Sequence, residues 1–438
     1  MENKLWQIID PVRPRINRAM VLSGCAAALA VLGLLLLAQI LKNLLNGGAV
    51  WPWAGGLTVL TLLSWWLRGL SFRVSHLAAF QLEGILRRRL ADRLARVSLG
   101  YLHDHGAPAL TKIMQEDVRD LHSFVADSTP LYARSYVAPA CSLLVLLFID
   151  WPLALVAGAV LALGFVLFAI MMSQVGAAHA AYHAAREQVN TAVVEYVQAM
   201  PVVRTFDGGA ASFGRYQRAL DNYCRVLTGW YAEVGLQARL AMLLLNPVPT
   251  LLALSWCGLY WWQADALAFP VWLAVLLIGT GMADALMPYI ALIHLIDKAN
   301  LSANRILEIL DAPALTVREP RQTPKGAAVV FEHVHFTYPG RRDEALHDVS
   351  FTAPAGALTA LVGSSGAGKS TVARLIPRFW DIDSGSIKIG GADIRHLEPE
   401  TLMASVAFVF QENFLFSGTI ADNIRLGSPA ASDAEVEA

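Results

Sequence analysis

The chain has 438 residues, of which 55% are hydrophobic and 16% charged, with a mean hydropathy of +0.47. A soluble domain carries about 25% charged residues, so this composition excludes an ordinary cytosolic enzyme and places much of the chain in lipid. A formal net charge of −1 offers no basic face for nucleic acid, and the four cysteines, with no C-x-x-C spacing, provide neither a zinc site nor a disulfide framework.

Six apolar stretches come close to the ~20 residues needed to cross about 30 Å of hydrocarbon. They are Ala19 to Leu41, Ala54 to Leu70, Tyr132 to Ile149, Leu153 to Met172, Leu240 to Trp262 and Val271 to Leu292. The first lacks a small-x-small exit and reads as a retained anchor, not a cleaved signal. Arg13, Arg15 and Arg18 precede it, and arginines crowd the two long connections, Arg73 to Arg119 and Arg186 to Arg239. The short connections have only Lys42 near them. By the excess of Lys and Arg on the cytoplasmic side, both termini and both long segments are expected to be cytoplasmic.

Those two segments read as helices that project beyond the bilayer. Ser75 to Val97 and Ala177 to Tyr223 carry apolar residues at three-to-four spacing with few glycines. Each is interrupted, at Tyr101–Pro108 and at Asp207–Gly209, and a break at the tip of a projecting helix pair suits docking onto a cytoplasmic partner. Arg87, Arg88 and Arg89 read as a solvated face. His103 and His105 lack a third ligand for a metal.

Within the spans, Asn246-Pro-Val-Pro249 is expected to break the fifth helix and Pro288 to bend the sixth. Asp284 is the carboxylate best placed inside a span. Asp284 and Asn246 are the candidates for a substrate pathway, because ionisable and polar groups in lipid are costly unless used. The competing reading puts Asp284 near enough to one end of its span to be hydrated.

After Leu292 the chain turns polar but stays helical to Leu310, and a Pro-rich linker runs from Asp311 to Pro324. This divides the chain into a membrane domain, 1–310, a linker, 311–325, and a cytoplasmic domain, 326–438. Ala328 to Tyr338 alternates like a half-buried strand. His333 and His335 share one face of it, and with no third ligand apparent they read as structural.

The strongest motif follows. Gly363-Ser364-Ser365-Gly366-Ala367-Gly368-Lys369-Ser370-Thr371 fits G-x-x-x-x-G-K-[ST], between a strand-like run, Ala357 to Val362, and the helix-like Thr371 to Ile376. Glycines let backbone N–H groups curl round phosphate oxygens at a positive helix end. Lys369 is expected to neutralise the β- and γ-phosphates, and the Ser370 hydroxyl to ligate Mg²⁺. The loop thus predicts a nucleoside triphosphate site.

Phe336-Thr-Tyr338-Pro-Gly340, the phosphate loop, and Val409-Phe-Gln411-Glu412 together resemble the nucleotide-binding domain of ATP-binding-cassette (ABC) transporters. The resemblance implies that Tyr338 stacks on adenine. It also implies that Gln411 touches Mg²⁺ and the attacking water and senses the transmembrane partner. The membrane part is similar to exporter-type members, six spans fused ahead of one α/β P-loop domain. The stretch Glu195 to Phe206 resembles most the half-transporters for siderophore uptake, importers built on the exporter fold. What this implies is ATP-driven transport of a small molecule, possible only as a homo- or heterodimer with a second half-transporter, in a bacterial-type inner membrane. Export of lipophilic compounds or peptides is the alternative, and a membrane-anchored regulatory NTPase without transport is the alternative of another class. The family's signature motif, Walker B aspartate, catalytic glutamate and switch histidine do not follow Gln411 within these 438 residues. The domain is therefore expected to be incomplete, and hydrolysis by this chain alone negligible.

Overall fold

The computed structural model describes residues 4–206, 210–410 and 414–437. The chain divides into two compact units, one of residues up to Arg88 with Ile113–Leu307, the other of Arg89–Lys112 with the residues from Glu308 onward.

The first unit is helical. A short helix α1 (Lys4–Ile9) leads into α2 (Arg13–Leu45), followed by α3 (Trp51–Leu94). The chain then passes through α4 (Leu99–His105) and α5 (Ala107–Lys112), which belong to the second unit, and re-enters the first with α6 (Val118–Ser123), flanked by wide π-type turns at Ile113–Asp117 and Phe124–Ser128. Then come α7 (Thr129–Ile149), α8 (Trp151–Phe206), α9 (Ala210–Leu245), α10 (Pro247–Gln263) and α11 (Phe269–Asp311). All six predicted spans lie in helix, the fifth broken. Among the described residues three helices are long and apolar enough to cross a membrane, Lys4–Leu45, Ala107–Ile149 and Trp151–Met171, and the pair Gly235–Leu245 and Pro247–Gln263, bent by 57°, makes a fourth if it is one broken span. Phe269–Ala285 is a shorter apolar stretch. The second predicted span, in α3, falls outside this set among the described residues. It carries Arg68 and is rich in Trp, Ser, Thr and Gly, which lower its hydropathy.

Small residues let these helices approach closely, and serine hydroxyls tie them together. Ser71 Oγ on α3 donates to the Ala19 carbonyl of α2 at 2.7 Å, and Ser64 Oγ to Ala26 at 2.8 Å. Ser23 Oγ on α2 donates to the Pro130 carbonyl of α7 at 2.7 Å. The α7–α8 hairpin turns on Asp150, whose carboxylate accepts from the Leu153 N–H at 3.0 Å. At the break in the fifth span Asn246 caps α10, accepting from the Val248 N–H at 3.1 Å. Proline supplies no donor at the first helical position, so an Asn cap followed by Pro starts a new helix there. Pro288 lies inside α11, which continues through it.

One polar knot joins distant parts of this unit. Asp117 is 1% exposed and accepts from Arg305 Nε at 2.7 Å, from Arg305 Nη2, and from Ser302 Oγ at 3.0 Å. The bond to Asp117 holds the Arg305 guanidinium above its ordinary value, and Lys298 pairs with Asp120 at 2.7 Å.

In the second unit four strands form an antiparallel sheet in the order β2-β1-β3-β4, from β1 (Val329–Thr337), β2 (Glu344–Ala353), β3 (Ser384–Ile389) and β4 (Ala392–Asp393). The strand predicted for 328–338 forms, but its alternation is interrupted by a bulge at Glu332–His333: Phe331, Val334 and Phe336 are buried, with Leu346, Ile387 and Ile389 joining them from β2 and β3. Helix α12 (Lys369–Leu375) buries Val372 and Leu375 in the same core, and α13 (Pro399–Ser405) adds Leu402. The predicted strand Ala357–Val362 is corrected by the structure. It pairs with nothing among the described residues, and Leu358 and Val362 are 102% and 89% exposed. An apolar run becomes a buried strand only when neighbouring strands take up its N–H and C=O groups; among the described residues no strand does. Val406–Phe410 is likewise outside the sheet. Two short helices, α14 (Ile420–Arg425) and α15 (Asp433–Glu437), follow.

The linker is anchored, not loose. Leu315 N–H donates to the Arg96 carbonyl at 2.9 Å, beside a bridge between Val97 and Ala314. Arg378, buried beyond the end of α12, holds the Thr316 carbonyl at 2.8 Å and Asp381 at 2.6 and 3.0 Å.

Candidate functional site

The phosphate loop closes over the start of α12. Gly366 and Gly368 have φ of +85° and +83°, the left-handed region that glycine adopts without strain. At Gly368 space matters as well, since a Cβ there would lie 2.6 Å from Leu346 Cδ2 and 2.9 Å from the Ala345 carbonyl oxygen. Lys369 folds back across the loop, its Nζ donating to the carbonyls of Gly363 at 3.0 Å and Ser364 at 2.7 Å.

This loop forms one wall of a cleft of about 400 Å³, lined by Ser365, Gly366, Ala367, Gly368, Lys369, Ser370 and Thr371. Tyr338, just past the end of β1, lines the same cleft, as do Arg341, Asp343, Glu344 and Ala345. The Tyr338 hydroxyl lies 2.9 Å from Thr371 Oγ1, and its ring packs edge-on against Phe336 and Trp380 at centroid distances of 4.9 and 5.1 Å. The Arg341 guanidinium carbon is 5.9 Å from the centre of the same ring. The donor set fits a nucleoside triphosphate with its magnesium ion: a glycine-lined loop, an ammonium reaching across it, hydroxyls at Ser370 and Thr371, and an aromatic ring lining the same cleft. A larger open groove of about 720 Å³ between α8 and α9 contains the Glu195–Arg215 ion pair and has no such loop.

Of the residues singled out by sequence, Tyr338 and Ser365–Thr371 meet in this cleft, and Gly363 and Ser364 are joined to it through Lys369. Gln411 lies outside the described residues, as does the break at Asp207–Gly209. In the helical unit Asp284 is exposed on α11 and in electrostatic reach of Arg134 on α7. Asn246 is engaged as a helix cap. Sequence reasoning missed Arg341, Asp343 and Glu344, whose only signal was their place just after Tyr338.

The break predicted at Tyr101–Pro108 is itself helical. It begins earlier, where Ser98 caps α4 by accepting from the Tyr101 N–H at 3.2 Å, and Gly106 at φ +72° separates α4 from α5. Within its unit α4 is seated on the segment after α12. Gly100 N–H donates to the Phe379 carbonyl at 2.8 Å, and Trp380 Nε1 donates to Asp104 at 3.1 Å. His103 Nε2 is 3.4 Å from Arg374, and His105 bonds back to the Tyr101 carbonyl at 2.9 Å. Trp380 therefore touches Tyr338 on one side and α4 on the other.

A model of the ABC transporter transmembrane region matches residues 17–284, and an ABC transporter model matches residues 346–438. The chain belongs to the ABC transporter family. Among curated ABC proteins it is 31% identical to the mycobactin import ATP-binding/permease protein IrtA of Mycolicibacterium smegmatis, over 97% of this chain and 50% of that protein. It is 30% identical to the mycobactin import ATP-binding/permease protein IrtB of Mycolicibacterium thermoresistibile, over 95% of this chain and 72% of that one. The ABC transporter ATP-binding protein YknV of Bacillus subtilis is 45% identical over 138 residues. The chain spans about half the length of the IrtA proteins it matches. With helices apolar and long enough to cross a bilayer, it is a membrane protein.

The close fit of Gly100 makes the α4 contact testable. A Cβ at Gly100 would lie 2.2 Å from Trp380 Nε1 and 2.5 Å from the Phe379 carbonyl oxygen. Gly100→Val is expected to lift α4 from Trp380. Thermal unfolding of the detergent-solubilised protein should report the overpacking as a loss of about 1–3 kcal/mol; an unchanged melt would contradict the contact.

Proposed function

We propose that this chain is a half-transporter that pairs with a second half and couples ATP binding and hydrolysis to movement of a small molecule across a bacterial inner membrane. The single observation that carries the reading is the direct path from cleft to coupling segment: Tyr338 packs on Trp380, and Trp380 is hydrogen-bonded to Asp104 of α4. A nucleotide between Tyr338 and the loop of Gly363–Thr371 would bear on the wall that α4 rests against. Stacking on Tyr338 would contribute roughly 1–3 kcal/mol. Lys369 and the loop amides would hold the phosphates, and Ser370 and Gln411 the magnesium ion. Both termini would lie in the cytoplasm, a reading supported by the arginine distribution.

For the cargo, we favour import of a metal–siderophore complex, on the likeness to proteins named for mycobactin import over nearly the whole chain. Export of a lipophilic compound has its own support in the 27% likeness to a protein named as a fatty acid ABC transporter. Asp284 and Asn246 would face the route in either case. Right-side-out vesicles carrying the complete transporter and its partner decide between them. ATP-dependent accumulation of radiolabelled ferric siderophore supports import; loss of a preloaded fatty acid with no siderophore uptake overturns it.

The chain by itself is expected to hydrolyse ATP negligibly. In-line attack needs a positioned water and a group that activates it. The carboxylates among the described cleft residues are Asp343 and Glu344, and Glu344 is taken up by His347 at 2.6 Å. Phosphate release from the purified 438-residue chain should equal that of its Lys369→Ala variant; a clear excess would refute this.

A further inference from the structure

The outer face of the sheet carries a second group of chemically able side chains. Thr337 of β1 faces Glu344 of β2 and Phe336 faces Leu346. Because Phe336 and Leu346 point into the core, their strand neighbours His335 and His347 point away from it. The shifted register of this pair draws Glu344 to the same place. His347 Nδ1 lies 2.6 Å from Glu344 Oε2, and His335 Nδ1 lies 3.6 Å from that same oxygen. The two imidazole rings meet edge to face at 4.9 Å. One ligand atom from each residue falls within 4.8 Å of the others, and among the described residues no other group of three does so.

We propose that His335, Glu344 and His347 form a binding site for a divalent transition metal of the zinc class, with its fourth position open to water. Tetrahedral zinc with bonds of about 2.0–2.2 Å holds its ligands about 3.3 Å apart, so the observed separations need only side-chain rotation. An ordinary ion pair would engage one histidine. Here two converge on one carboxylate oxygen, and two imidazolium rings at this separation would repel, whereas two neutral imidazoles and a carboxylate suit a borderline-soft cation. The neighbouring His333–Asp348 pair, at 2.7 Å, has no third member among the described residues. The base of the cluster is firm: His335 is 27% exposed on a central strand, while His347 is 79% exposed and free to adjust. Glu344 also lines the nucleotide cleft. A bound metal would therefore pin the hairpin that bears Tyr338 and Arg341.

The test uses the full chain, purified in detergent and stripped with chelator, titrated with Zn²⁺ by calorimetry and with Co²⁺ by visible absorption. One Zn²⁺ per chain is expected, with tetrahedral Co²⁺ bands, both persisting in millimolar Mg²⁺. His335→Asn and His347→Gln should each weaken binding by about tenfold or more, while His333→Asn leaves it unchanged. His347 is exposed, so its variant will fold, and an unchanged thermal melt without metal verifies that. No stoichiometric binding, binding unaffected by either variant, or displacement by Mg²⁺ would overturn the proposal.

Discussion

Lys369→Ala, in the complete transporter with its partner, is expected to lower ATP-driven uptake into vesicles by about a hundredfold or more. The reason is electrostatic. Phosphoryl transfer leaves the protein little to do except position groups and balance charge, and among the described residues Lys369 is the one ammonium lining the cleft. A hundredfold loss corresponds to about 2.7 kcal/mol of transition-state stabilisation. The variant should fold, since the ammonium's bonds to the Gly363 and Ser364 carbonyls are exposed. Its expression and thermal melt should match the parent's. Uptake at the parental rate would overturn the assignment of the loop, and with it the reading of the cleft as the seat of ATP.

Asp117→Ala should produce the largest loss of stability, about 3 kcal/mol. Breaking a buried ion pair by removing one partner costs about 3–5 kcal/mol because the other charge is left uncompensated. The lower figure applies here because the Arg305 side chain is 33% exposed and water can reach it. Ser302, fully buried, would lose its acceptor at Asp117 and keep a poorer one at Asp120, 3.3 Å away. Thermal unfolding of the detergent-solubilised protein measures this. Asp117→Asn should lose less, since its amide oxygen can still accept from Arg305. Equal melting of the Ala variant and the parent would show that the knot contributes nothing.

How much of this was readable in advance follows the range of the interactions involved. The phosphate loop was, because its function rests on the spacing of nine consecutive residues, Gly363–Thr371. The helical character of the six spans was, because hydrophobicity over about 20 residues is a local property, although the second and sixth are less apolar or shorter than the others. The break at Asn246-Pro-Val-Pro249 was, because a cap and a proline act on their own turn. The Asp117–Arg305 knot was not: its partners are 188 residues apart, and neither has a neighbour in sequence that marks it. The strand expected at Ala357–Val362 shows the opposite failure. Its apolar pattern was read correctly, but pairing is a property of neighbours, and none is present among the described residues.

His335 shows the difference most plainly. On β1 alone it had no third ligand; the register of β2 supplies two, Glu344 and His347, nine and twelve residues on. The docking of α4 is of the same kind, since Gly100 and Trp380 acquire meaning only when they are brought to van der Waals contact. The amino-acid sequence by itself determined the membrane helices, the nucleotide loop and the family, because each depends on residue type and short spacing. Only the tertiary structure decided which distant side chains share a cleft, a polar knot or a cluster of ligands. Strand register and helix packing set those distances, and both arise from contacts summed over the whole unit.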